Sequence, residues 1–167
     1  MILKRLAPLL ILPLLAGCGF TPLYAERGVG PALSSVEVIP PKGRVGYLMQ
    51  EQLDDALARQ RGEPARYRLT MTSNELRTPR GLRVDNTATE YELNLTVTYS
   101  LVENATGKTL RSGIAPVTVT YESSDAPYAG LSAQTDAQER AVIQAATLVR
   151  LDLSRYFAGE ATKAAAR

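Results

Sequence analysis

A chain with a single cysteine, Cys18, and no histidine has a short menu of bond-making chemistry. A thiol attacks only once a neighbouring base or positive field has lowered its proton affinity. The imidazole that usually does this is absent, so Cys–His and Ser–His–Asp nucleophiles are excluded. The same absence removes His-based general acid–base catalysis and the usual zinc sites. Two carboxylate pairs remain to be weighed, Asp54 with Asp55 and Glu90 with Glu92. Their spacing puts the first on the wet face of a helix and the second on the wet face of a strand. Solvated surface acids explain both, because no pocket that would perturb them is implied. Glycine-rich phosphate loops are missing. We expect no enzyme, no cofactor and no metal site, so the work of the chain falls to its surfaces.

Those surfaces depend on the elements beneath them. Leu33 to Ile39, with Val36, Val38 and Ile39, reads as a short strand stopped by Pro40-Pro41. From about Gly43 to Arg61 the period turns helical. Val45, Leu48, Met49, Leu53, Ala56 and Leu57 fall on one face, and Gly62 supplies the stop. Tyr67, Leu69 and Met71 then alternate with Arg66, Arg68, Thr70 and Thr72 in a second strand. Tyr91, Leu93, Leu95, Val97, Tyr99 and Leu101 alternate without error against Glu90 to Ser100, giving a strand with one dry face and one wet face. Glu103 to Lys108 is a hairpin turn. In the fourth strand Leu110, Ser112 and Ile114 keep one parity and Val117, Val119 and Tyr121 the other, which predicts a β-bulge at Ala115-Pro116. A final helix starts near Ala133 to Asp136, where Thr135 to Gln138 fits a capping box, and runs to about Phe157. Residues 159–167 match no pattern and are expected to form a flexible tail. The order predicts a two-layer α+β sandwich, a four-stranded mostly antiparallel sheet with two helices packed on one face and a polar second face.

The first residues read differently. Lys4 and Arg5 precede the uncharged stretch Leu6 to Ala16, the layout of an export signal. Eleven helical residues reach only about 17 Å, well short of the ~30 Å hydrocarbon core. Leu15-Ala16-Gly17-Cys18 resembles the lipobox of bacterial lipoproteins. That resemblance implies cleavage after Gly17 and acylation of Cys18, with residues 18–32 as lipidated cysteine and tether and 33–158 as the folded domain. In such families an aspartate after the cysteine retains the protein in the inner membrane. Gly19 stands there instead, so the outer membrane, on its periplasmic side, is expected. Without Lys4 and Arg5, 17 of the 19 basic residues remain against 17 acidic ones, so the mature chain has no basic field for nucleic acid.

Three further blocks carry a family resemblance: Cys18-Gly19-Phe20-Thr21-Pro22-Leu23-Tyr24, the strand around Tyr91 to Tyr99, and Tyr128-Ala129-Gly130-Leu131-Ser132-Ala133 leading into Asp136 to Ala141. Together they resemble the lipopolysaccharide-assembly outer-membrane lipoproteins of the LptE family, in their alphaproteobacterial form. The resemblance implies a plug and assembly subunit within the large LptD-type β-barrel of the lipopolysaccharide translocon, with lipopolysaccharide itself as a ligand. Lipid A phosphates call for cations, and Leu76 to Arg83 offers Arg77, Arg80 and Arg83 interleaved with Leu76 and Leu82. A solvated loop explains these arginines equally well. The alternative reading is an auxiliary lipoprotein of another envelope transport system, of the phospholipid type.

Overall fold

The computed structural model describes residues 28–60, 62–82, 84, 88–122 and 126–166. The expectations for the export signal, for Cys18 and the tether up to residue 27, and for Arg83 lie outside the described residues. The elements run α1 (Val29–Ser34), β1 (Val36–Ile39), α2 (Arg44–Ala56), β2 (Tyr67–Leu82), β3 (Ala88–Glu103), β4 (Thr109–Glu122) and α3 (Pro127–Ala165). The sheet order is β1-β2-β3-β4. β1 lies parallel to β2 because α2 carries the chain back between them, while β2, β3 and β4 are antiparallel. The architecture is the expected two-layer α+β sandwich, its sheet mixed through the one parallel pair.

Side-chain alternation decides which face is dry. On β3, Leu93, Leu95, Val97, Tyr99 and Leu101 are all buried. They meet Tyr67, Leu69 and Met71 of β2 and Ala115, Val117, Val119 and Tyr121 of β4 on the same side of the sheet. α3 covers that side with Ala137, Ala141, Val142, Ala145, Ala146, Val149, Leu153 and Phe157, all buried. The alanines let the helix axis approach the strands closely, and each larger aliphatic side chain contributes about 1.5–3 kcal/mol by leaving water. α2 adds Val45, Met49 and Leu53 beside α3. It begins against the Pro40-Pro41 turn so tightly that a Cβ on Gly46 would lie 1.7 Å from the Pro41 carbonyl oxygen.

Several boundaries differ from expectation, each for a local reason. Residues 76–82, read as a loop, are the outer half of β2: its pairing with β3 continues from Tyr67↔Glu103 to Leu82↔Ala88. Past Met71 both faces of this strand are largely solvated, so the alternation that marks a half-buried strand disappears. The bulge lies at Leu110, opposite the Leu101/Val102 step, and not at Ala115-Pro116, where Val97↔Ala115 and Thr96↔Pro116 are in register. The apparent phase slip arose because Ile114 is an apolar residue on the outer face, 63% exposed.

α2 ends at Ala56, before Gly62. Ala58 adopts a left-handed φ of 51°, while its N–H donates to the Asp55 carbonyl and that of Arg59 to the Asp54 carbonyl, the double closure of a Schellman motif. α3 starts at Pro127, where the missing N–H has no intrahelical partner to lose, so Thr135 lies inside the helix and caps nothing. It then continues past Phe157 to Ala165. α1 spans the end of the stretch read as tether and the start of the one read as strand, burying Val29 and Leu33 against the domain, so the strand begins only at Val36.

Candidate interaction surface

Two surfaces remain after the core is built. The first is the far end of the sheet, where the β2–β3 hairpin closes and α3 begins. Arg77 sits there with its guanidinium 4.2 Å from the Tyr91 ring centroid. It donates to Gln134 Oε1 at 2.9 Å and to the Tyr121 hydroxyl at 3.3 Å. Tyr91 and Tyr121 are stacked with centroids 5.6 Å apart, so one cation closes the end of the aromatic pair on the helix side of the sheet. Gln138 donates to Glu75 at 2.7 Å one step further in.

Arg80 points to the other face, because three residues along a strand reverse the side. Its guanidinium meets Glu92 at 2.8 Å. The Glu92 carboxylate also accepts from Asn94, whose side-chain oxygen accepts from Thr118 at 2.7 Å. The Asn94 hydrogen bond, and after it Arg80, hold the Glu92 carboxyl below its usual range. The structure therefore separates Arg77 from Arg80, while Arg83 lies outside the described residues. Sequence reasoning missed the apolar residues at this same end, Val84, Tyr128 and Leu131, all exposed. Tyr128 and Leu131 precede the helix start expected near Ala133, and only the proline at position 127 signalled that they share a helix.

The second surface is the uncovered face of the sheet, on which Thr72, Thr98 and Ile114 form one cross-strand row and Asn74, Thr96 and Pro116 the next. It is polar and carries few charges: Arg80 pairs with Glu92 and Arg68 with Glu37 at 4.0 Å, while Glu90 and Glu122 face each other across β3 and β4.

Beneath α3 one polar cluster fixes the two layers. The Tyr99 hydroxyl donates to Asp152 Oδ2 at 2.8 Å, and Arg111 grips the same carboxylate through Nε at 2.9 Å and Nη2 at 2.6 Å. The bidentate Arg111 holds the Asp152 carboxyl below its ordinary range, and burial, reinforced by Asp152, pushes the Tyr99 hydroxyl up. Gly113 is required beside it, since a Cβ there would lie 2.3 Å from the Tyr99 hydroxyl. Nothing in the sequence pattern joined these three residues.

Among the described residues no three metal-type side chains converge, no helix is long and apolar enough to cross a membrane, and no buried side-chain polar atom lacks a partner. The paired acids do not form a site. Asp54 and Asp55 line an open depression on α2 with Tyr47, Gln50, Glu51 and Arg59. The described residues thus define a two-layer α+β domain.

The family profile described as LptE, lipopolysaccharide-assembly, matches residues 33–153, and the chain belongs to that family. A crystal structure from Caulobacter crescentus, assigned as a lipoprotein, is 46% identical, superposes with a TM-score of 0.69, and covers 79% of this chain and 96% of its own. The rare lipoprotein B of Shewanella oneidensis shares the fold at 16% identity and a TM-score of 0.56, over 72% of this chain and 92% of that one. Lipoprotein B of Nitrosomonas europaea does so at 16% and 0.55, over 72% and 82%. No curated protein matches the chain. Family membership ties the chain to lipopolysaccharide assembly.

Proposed function

We propose that the chain is an outer-membrane lipoprotein, anchored through lipid on Cys18, that plugs and helps assemble the LptD-type β-barrel of the lipopolysaccharide translocon. It works through contact and not by catalysis. The observation that carries this reading is the bare sheet face. A barrel lumen is lined by polar side chains, and a plug must offer it a polar wall. The Thr/Asn/Ser rows with their Arg80–Glu92 and Arg68–Glu37 pairs supply one. Two or more acyl chains on one residue give stable attachment, at about 0.8 kcal/mol per buried methylene.

Lipopolysaccharide is the expected ligand, and Arg77, Arg80 and Arg83 remain the proposed cations for its phosphates. Arg80 and Arg77 would engage it from opposite faces of the hairpin, and Arg77 only by giving up its Tyr91 and Gln134 contacts. A photo-crosslinking side chain at Thr98, on the bare face, tests the plug directly. Crosslinks to an outer-membrane barrel support it, and crosslinks only to inner-membrane or periplasmic transporter components support the phospholipid-type alternative. Sucrose-gradient separation of the two membranes tests the location: co-migration with the inner membrane defeats it.

A further inference from the structure

Among the described residues two long edges of the sheet are open, and each is interrupted by one proline. β1 covers the outer side of β2 only from Tyr67 to Thr70, so among the described residues that side pairs with no strand from Met71 to Leu82. β4, among the described residues, pairs with β3 alone along its whole length. Such rows of unpaired N–H and C=O groups are templates for another strand, and a second copy of the same chain brings the same edge with it.

The ladder tells which way each backbone nitrogen faces. Tyr67 donates its N–H to the Ser35 carbonyl at 3.3 Å, toward the β1 side. The β2–β3 register has no shift from Tyr67 to Leu82, so every second residue after Tyr67 keeps that direction, and the nitrogen of Pro79 falls on the outer edge. On β3, Glu103 donates to the Lys108 carbonyl at 3.0 Å, toward β4. Residues of its parity pair with Arg111, Gly113, Ala115 and Val117, whose N–H groups therefore face β3. Pro116, one residue out of step, turns its nitrogen outward. Both prolines thus occupy the parity at which the internal ladder loses no bond and the free edge loses a donor. The bulge at Leu110 breaks the regularity of the β4 edge a second time.

We infer that Pro79 and Pro116 are edge guards that keep this chain from adding a strand of a second copy of itself. The test uses the full chain in density-matched detergent, carrying Pro79→Thr and Pro116→Thr, compared with the native sequence by sedimentation velocity over a wide concentration range. The expected result is a folded variant that sediments as a dimer where the native chain is a monomer, equivalent to at least about a tenfold fall in dissociation constant, with an intermolecular-strand band in its amide I spectrum. Pro116→Thr combined with Thr120→Pro moves the β4 guard along the same outward parity, and should be more monomeric than Pro79→Thr with Pro116→Thr. A folded double variant that stays monomeric overturns the inference. So does loss of the fold in Pro116→Thr, because an outward nitrogen contributes nothing to the internal ladder.

Discussion

The guanidinium of Arg77 lies 4.2 Å from the ring centroid of Tyr91, at an exposed end of the sheet. Arg77→Ala removes the cation from a stacked tyrosine pair and two side-chain hydrogen bonds with it. At a partly exposed site this costs about 1–2 kcal/mol. Thermal unfolding should show a lower Tm for Arg77→Ala and a smaller loss for Arg80→Ala, whose pair with Glu92 is solvent-screened. Equal losses would mean that the aromatic contact contributes nothing.

That difference controls the ligand experiment. Lipopolysaccharide binding should be compared for Arg80→Ala, Arg83→Ala and Arg77→Ala after each is shown to be folded. Weaker binding in Arg80→Ala or Arg83→Ala assigns the phosphate contacts, and unchanged affinity in the triple variant removes the hairpin from the binding surface.

Asp152 gives the domain an acid-sensitive joint. Its carboxyl titrates below the ordinary value of 3.8 in the folded chain, chiefly through Arg111, so its stabilisation is present above that value and lost as pH falls through the depressed one. Tyr99 acts at the opposite end: raised above 10.0, its hydroxyl stays protonated in the folded chain while the unfolded chain ionises, so stability falls as pH rises beyond 10.0. Asp152→Asn should lower stability near neutrality by about 1–3 kcal/mol and flatten the acid limb measured by chemical denaturation. A variant whose acid limb stays as steep as the native one would refute the assignment.

Ala58 holds a left-handed conformation that glycine adopts without a Cβ penalty. Ala58→Gly should therefore stabilise the domain by about 0.5–1 kcal/mol, seen as a higher denaturation midpoint with an unchanged m-value. A lower midpoint would show that the strain is relieved elsewhere.

Gly46→Ala should act the other way. The new Cβ meets a backbone oxygen at 1.7 Å, which no side-chain rotation can relieve. A loss of about 1–3 kcal/mol, the usual range for overpacking, is the minimum expected. Wild-type stability would show that the Pro40-Pro41 turn yields freely.

These residues also show what the chain discloses before it folds. The dry side of β3 could be read residue by residue, because every second position from Leu93 to Leu101 is buried. The stripe of α3 was legible for the same reason at a different period. Legibility ended where burial ended: the outer half of β2 has solvent on both sides, so its strand character resides in backbone pairing with β3, which leaves no mark on side-chain choice. The helix end at Ala58 escaped because alanine is not a residue that announces a left-handed turn. Of the proposed cations, the residue types were visible, but the reversal of face between Arg77 and Arg80 follows only once the segment is known to be a strand. The Tyr99–Asp152–Arg111 cluster joins three elements at long sequence separation, and no local pattern encodes it.

As proposed, this chain works as a lipid-anchored subunit of the lipopolysaccharide-translocon barrel. Affinity purification of the full chain from detergent-solubilised envelopes, followed by mass spectrometry of its partners and of its own amino-terminal peptide, tests this most directly. The expected result is an outer-membrane β-barrel of the translocon in stoichiometric amount and an acylated Cys18 at the mature terminus. Recovery of a phospholipid-type transporter in place of the barrel, or of an intact leader with an unmodified thiol, would contradict it.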